Sequence, residues 1–332
     1  MSDPTSAVVT ASIVTAPIAV SMRRPLGSTE LRVSPIALGG NVFGWTVNDD
    51  DAIDILDRFV ELGGNFIDTA DSYAGGRSEH LIGTWLKRRG TRADLVIGTK
   101  IGKSADNSGL SERAMNNAVN ASLERLGVDA IDLLYLHIDD SHVPFEETLL
   151  AADELVRAGK VRALGASDHS ANRLIEARII AEQLGLTPLA ALQCRYNLMH
   201  RDQFEGNVAR VAHVHGLAVM PRFALDGGFL TGKYRSRTDT GEISRTGFDS
   251  RVVDRNTHFD RKGMRVLAAL DKIAAEQAVR PASVALAWLL TKPDVVAPVT
   301  SASRVSHVDP LIQAGHVTLT RAQVALLDDI TD

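Results

Sequence analysis

Cysteine is almost missing from this chain of 332 residues: Cys194 is the only one. A single thiol excludes an intrachain disulfide, and a fold that needs none suits a reducing compartment. A basic excess is missing too. Lys and Arg number 36 against 41 Asp and Glu, a formal net charge of −5, which leaves no electrostatic footprint for nucleic acid or an anionic membrane surface. No stretch of roughly 18 uninterrupted apolar residues occurs, so no membrane span is expected. The opening "MSDPTSAVVTASIVTAPIAVS" is apolar, yet it carries Asp3 in place of a positive start. It is broken by Thr, Ser and Pro17, and no small-residue cleavage site precedes "MRRPLG". Residues 1–21 read as a disordered extension, 22–332 as one folded unit, and the cytoplasm as the expected location. Low-complexity tracts and short repeats are also lacking.

What is present is a beat. With 45% hydrophobic and 23% charged residues the composition is that of an ordinary globular protein. Short apolar runs recur, and the segments between them carry helical periodicity. The runs are "VSPIALGG" (33–40), "NFIDTAD" (65–71), "DLVIGTK" (94–100), "IDLLYLH" (131–137), "VRALGAS" (161–167), "LAALQCRYN" (189–197), "AVMPRFAL" (218–225) and "VVAPVTS" (295–301). Between the first two, "DDDAIDILDRFVELGG" starts with acids that suit a helix dipole and stops at Gly63-Gly64. "SERAMNNAVNASLERLG" opens on a serine cap and closes at Gly127. Alternation alone also fits a doubly wound sheet. Eight units without a composition break between halves select a (β/α)8 TIM barrel, an α/β fold. "RRPLGSTELRVS" reads as an N-terminal β-hairpin closing the barrel floor, and 226–260 as a long loop after strand seven.

Such a barrel carries its chemistry at the carboxyl ends of its strands. Asp68 lies near the end of the second run, with Tyr73 in the loop beyond. Lys100 ends the third, His137 the fourth, and Ser167-Asp168 the fifth. Gln193 lies in the sixth, Arg222 in the seventh, and Ser301 ends the eighth. Asp68 and Lys100 alone also fit a structural ion pair, since two desolvated charges need each other. With Tyr73 and His137 added, they suit a proton-donating set. A phenol titrates near ~10, and an ammonium about 4 Å away stabilises its anion by up to ~4 kcal/mol at an effective dielectric of ~20. The expectation is a phenol made more acidic by Lys100, with Asp68 holding the lysine charged and His137 orienting a carbonyl oxygen. That chemistry is carbonyl reduction, with hydride from elsewhere.

The blocks "NFIDTADSY", "IGTK", "DLLYLH", "GKVRALGAS", "LQCRYNLM" and "FLTGKY" occur in the order found in the aldo-keto reductases, and from Met22 on the chain resembles that family. The resemblance implies NADPH bound in extended form without a Rossmann fold, and no G-x-G-x-x-G follows any predicted strand. It places a catalytic tetrad on Asp68, Tyr73, Lys100 and His137. It also implies cofactor binding by Asp68, Ser167, Asp168, Gln193, Arg222, Leu225, Gly227, Lys233, Ser301, Ser303, Arg304 and His307. In the loop after the first run, Gly40 and Asn41 are placed to approach the cofactor through their backbone, and Trp45 suits either a substrate pocket with Tyr73 and His137 or plain core or surface packing. Three departures are visible. Asp168 stands where the family has Asn, Arg222 stands where an aromatic stacks on the nicotinamide, and Pro310 and Leu311 replace a Glu-Asn pair that grips adenine. The first two suggest an Asp168–Arg222 pair across the pocket. The third leaves NADH open beside NADPH. Expected partners are a small-molecule carbonyl substrate and neither nucleic acid nor membrane; the sequence leaves the oligomeric state open. A cofactor-sensing regulatory subunit, like family members that resemble channel β-subunits, is the alternative.

Other polar clusters read more plainly. His137-Ile138-Asp139-Asp140-Ser141-His142 lacks a zinc spacing and lies near Lys100, so no metal is expected. His213 and His215 read as surface residues, Cys194 as an outward-facing core thiol beside Gln193, and "VALAWLL" as core.

Overall fold

The computed structural model describes residues 16–236 and 258–331. A hairpin comes first, with β1 (Arg24–Pro25) antiparallel to β2 (Arg32–Val33). Its turn needs Gly27: φ is +54°, and a Cβ there would lie 2.3 Å from the Ala190 carbonyl oxygen. The hairpin thereby seats against the amino-terminal end of the barrel, and its Leu26 and Val33 join the apolar cluster inside it.

Eight parallel strands follow. They are β3 (Ala37–Gly39), β4 (Phe66–Asp68), β5 (Val96–Ile101), β6 (Ile131–Leu136), β7 (Val161–Ser167), β8 (Leu189–Arg195), β9 (Ala218–Arg222) and β10 (Val299–Thr300). Each pairs with the next as far as β9, and β10 pairs with β3. Helices cover the outer face and side chains fill the inside, which is why these strands read as nearly continuous apolar runs. The interior layer holds Phe66, Leu133, Tyr135 and Met220. Gly165 leaves room for Tyr135, since a Cβ there would come within 2.6 Å of the ring.

Several helices begin at a residue whose side chain caps them. Asn48 caps α1 (Asp49–Glu61), whose first turn holds Asp49, Asp50 and Asp51. After α2 (Arg77–Arg89) come α3 (Glu112–Leu126), capped by Ser111 and ended by Gly127, and α4 (Phe145–Arg157). Ser170 caps α5 (Ala171–Leu184), and α6 (Asn207–Val214) precedes β9. Among the described residues α7 (Arg261–Gln277), α8 (Pro281–Leu290), α9 (Val308–Gln313) and α10 (Arg321–Thr331) follow. No helix among the described residues is long and apolar enough to cross a membrane.

Prolines shorten two of the predicted strands. In run 33–40, Pro35 separates the hairpin from the three-residue β3, and in run 295–301 Pro298 splits the strand. The first piece closes the barrel against β9, with the Val219 amide donating to the Asp294 carbonyl at 2.8 Å and the Val296 amide to the Val219 carbonyl at 2.9 Å. The second, β10, pairs with β3. A further difference concerns the extension expected over 1–21. Residues 1–15 lie outside the described ones, but the chain is docked from Ile18: this side chain is buried, and its amide donates to the Leu62 carbonyl at 2.7 Å. Of the loop expected at 226–260, Asp226–Thr231 form a short 3-10 turn, and 237–257 lie outside the described residues.

Candidate active site

Parallel pairing brings the polar strand ends together. Asp68 is the last residue of β4, Lys100 lies near the end of β5, and His137 directly follows β6. Tyr73 sits in the loop after β4, where Ala74, Gly75 and Gly76 all take positive φ and curl the chain back over the barrel. Asp68 and Lys100 are buried, and the Lys100 ammonium is fully committed. It donates to Asp68 Oδ2 at 2.6 Å, to the Thr69 carbonyl at 2.7 Å and to the Tyr73 hydroxyl oxygen at 3.4 Å. Asp68 Oδ1 accepts from the Gln193 side-chain amide at 2.9 Å. Tyr73 accepts from Lys100 and lines the cavity, so its own hydrogen remains to be donated to another acceptor. The His137 ring meets Tyr73 edge-on, with centroids 6.2 Å apart.

Burial decides the titration of this group. It works against the charge of Lys100, but Asp68 and Tyr73 outweigh it, so the ammonium is held above its ordinary pKa. For Tyr73 the expected acidification does not occur. Burial raises its pKa by more than Lys100 lowers it, and the phenol stays protonated at neutral pH. The lysine still matters, because it stands ready to stabilise the anion left when the proton departs. His137 is depressed to about 2 by burial first and then by Lys100, Lys103 and Arg222, so its imidazole is neutral. Its buried Nδ1 has no hydrogen-bond partner among the described residues.

A cavity of about 770 Å³ opens over this group and runs across the barrel mouth to the start of α8 and the residues after β10. Asp68, Tyr73, His137, Asp168, Gln193 and Arg222 line one end, and Asn41, Leu225 and Gly227 lie along it. Lys233, Ser301, Ser303 and His307 line the other. There the Ser303 hydroxyl lies 3.2 Å from His307 Nδ1, and His307 is depressed by burial and by the cations Lys233, Arg304 and Arg280. That convergence of positive charge, beside the amino terminus of α8, suits phosphate.

A sequence model described as "Aldo/keto reductase family" matches residues 35–332. The chain belongs to that family. A Saccharomyces cerevisiae protein with an aryl-alcohol dehydrogenase name is 33% identical over 90% of this chain and 84% of its own. A norsolorinic acid reductase of Emericella nidulans is 34% identical, covering 90% and 78%. A Schizosaccharomyces pombe protein named as a voltage-gated potassium channel subunit beta is 31% identical, covering 88% and 87%. Membership carries oxidoreductase chemistry.

In this aldo/keto reductase the Asp168–Arg222 pair is present. The guanidinium donates from Nε at 3.1 Å to both oxygens, and its closest approach is 2.7 Å. Asp168 takes φ +58°, a left-handed conformation that Asn and Asp tolerate best, so an acid could replace Asn without straining the turn. Other expected residues lie outside the cavity wall. Gly40 is committed through its backbone, its carbonyl accepting from Ser78 at 2.8 Å. Ser167 is buried at the end of β7, and Arg304 flanks the far end. Trp45 is 58% exposed and does not line the cavity; Val42 and Thr46 of the same loop do.

Sequence reasoning missed Lys103 and Arg280, which both line the cavity. It also missed Asp226. That carboxylate is fully buried at φ +50°, at the base of the turn bearing Gly227 and Gly228. It lies 2.8 Å from His258 Nε2 and 3.3 Å from His200 Nε2. These three could suggest a metal, but the Arg195 guanidinium stands 2.8 Å from the same His200 nitrogen and 3.6 Å from Asp226, supplying the positive charge itself. The group is a buried anchor for the turn. An acid directly before Gly-Gly was the one available signal.

Proposed function

We propose that this protein is a nicotinamide-dependent reductase of aldehydes, ketones or keto-sugars, taking NADPH, with NADH as the weaker alternative. The observation that carries the reading is the commitment of Lys100: with all three donors engaged, it leaves the Tyr73 hydrogen to be donated to another acceptor. The carbonyl oxygen takes that hydrogen bond from Tyr73, and neutral His137 orients it from the side. As negative charge develops on the oxygen, Tyr73 gives up its proton and Lys100 stabilises the phenolate left behind. Asp68 keeps the lysine charged and aimed, and Gln193 holds Asp68. The role expected of Gln193, gripping a carboxamide, passes in this reading to Asp168, whose exposed oxygens can accept from it, with Ser167 beside it.

The residues present fit a dinucleotide. The cavity falls within the size range of cofactor sites, and its two ends differ as a nicotinamide and an adenosine phosphate require. Bound there, the nicotinamide would supply hydride. Lys233 suits the pyrophosphate, and Ser303, Arg304 and Arg280 the 2′-phosphate, while Pro310 and Leu311 offer adenine an apolar seat. The names of the relatives point to aromatic carbonyl compounds as the first substrates to try.

Loss of reduced-nicotinamide absorbance with benzaldehyde and a panel of ketones tests the reading. A loss of about 10³-fold in turnover on Tyr73→Phe is the expected result. The channel-subunit relative keeps a second reading in view. Tight cofactor binding without turnover of any carbonyl, together with a stable protein partner, would favour it.

A further inference from the structure

Around the reacting centre, two pairs of opposite charges cancel among the described residues. Asp68 neutralises Lys100 at 2.6 Å, and Asp168 neutralises Arg222 at 2.7 Å. His137 is neutral. That leaves Lys103, three residues beyond Lys100 in the loop after β5. Its side chain lines the same cavity as Tyr73 and His137, with the rest of it open to solvent. Among the described residues it forms no ion pair or hydrogen bond.

Acids on the neighbouring loops that face the cavity mouth are bound elsewhere. Asp139, after β6, is held by Arg173 at 2.7 Å. Asp140 accepts from the Leu110 amide at 2.9 Å and the His142 amide at 3.0 Å. Asp168 attracts Lys103 from a distance but is already bound by Arg222, which repels it, as does Lys100. Three cations thus bear on one neutral imidazole with two anions to balance them. Among the described residues that line the substrate end of the cavity, Lys103 is the cation without a paired carboxylate, and it stands at the mouth. Hydride and proton transfer to a carbonyl does not require this charge, because Lys100 already serves Tyr73.

We propose that Lys103 forms an anion subsite and that the preferred carbonyl substrate carries a carboxylate beyond its reacting carbon. The proposal rests on the reductase reading above and adds a substrate class to it. Lys103 then acts on affinity and selection, leaving the tetrad to act on rate.

The test compares 3- and 4-formylbenzoate with their methyl esters, which keep the ring and aldehyde and remove the charge. With NADPH, at least one acid should be reduced with a kcat/KM about fivefold or more above its ester, chiefly through KM. Lys103→Met should bring the acid-to-ester ratio to one or below, and Lys103→Arg should restore part of it. Added salt should erode the acid's advantage in the wild type and leave the ratio in Lys103→Met unmoved. Equal handling of acid and ester by the wild type, or a ratio unaffected by Lys103→Met, would overturn the proposal. A second arm needs no turnover. Calorimetric titration of the NADP⁺-loaded protein with terephthalate and 4-methylbenzoate measures what the second carboxylate adds, and Lys103→Met should remove it. Should that difference be present and lost in the variant while no aldehyde is reduced, the reductase reading fails and the anion subsite stands. Should the esters be reduced with no preference for the acids, the reverse holds.

Discussion

The two ends of the cavity hold their charges differently. At the tetrad end, Asp68 and Lys100 are buried, paired at 2.6 Å and joined by Gln193 and the Thr69 carbonyl. At the far end, Ser303 and Arg304 are exposed, and the cations Lys233, Arg304 and Arg280 bear on His307 with no carboxylate beside them among the described residues. The first arrangement is fixed before any ligand arrives, as a proton transfer requires. The second is left incomplete, as the binding of an anion requires. Chemistry calls for preorganisation, whereas binding calls for a charge still to be satisfied.

Removing the hydroxyl of Tyr73 gives the sharpest contrast. Tyr73→Phe should lower kcat for carbonyl reduction by about 10³-fold while NADPH affinity, read by fluorescence titration, moves by no more than a few-fold. Comparable loss of both would mean that the ends are not separable. Next in size is Lys100→Met, which strands the Asp68 carboxylate in the core. Denaturant unfolding should show a loss of about 3–5 kcal/mol, against less than about 1 kcal/mol for Arg304→Ala at the exposed end. A third measurement sharpens the far end alone. Arg304→Ala combined with Arg280→Ala should weaken NADPH about tenfold or more relative to NADH, with kcat for the bound cofactor nearly retained.

The smallest expected effect concerns a carboxylate near the tetrad that pairs with no cation among the described residues. The Asp71 amide donates to the Lys100 carbonyl at 3.0 Å, while burial and then Glu79 raise the Asp71 carboxyl from 3.8 to about 7. The folded chain therefore keeps a proton that the unfolded chain has released, and stability falls as pH rises from about 4 to about 7. Asp71→Asn should remove that slope. Its melting temperature should exceed the wild type's by a few degrees at pH 8, with the gap closing toward pH 4. A gap that stayed constant across pH would point to a cause other than this proton.

The barrel was legible because eight apolar runs and their capped helices are local patterns. Its short strands were less so, since Pro35 and Pro298 break ladders in places that only the three-dimensional pairing shows. Asp68, Lys100 and His137 stood out as charges or polar groups inside apolar runs. The Asp168–Arg222 pair could be anticipated because both residues depart from a familiar pattern on strands that face one pocket. The direction of the Tyr73 shift could not be read, because it depends on how completely the phenol is covered. Lys103 and Arg280 lie in loops, where a charged residue looks like any solvated one. Asp226 drew no notice because its partners, His200 and His258, come from distant parts of the chain.

The break at Pro298 leaves the barrel with a seam. Around β9 the ring closes through the few hydrogen bonds that Val219 makes with Asp294 and Val296, where β6 with β7 and β8 with β9 share ladders of five residue pairs each. Arg222 and Lys233 belong to one side of that opening, and Ser301 and Ser303 to the other. Any molecule lying along the whole groove would therefore act as a suture, slowing amide exchange at Val219 and Val296 more than at the middle of β6.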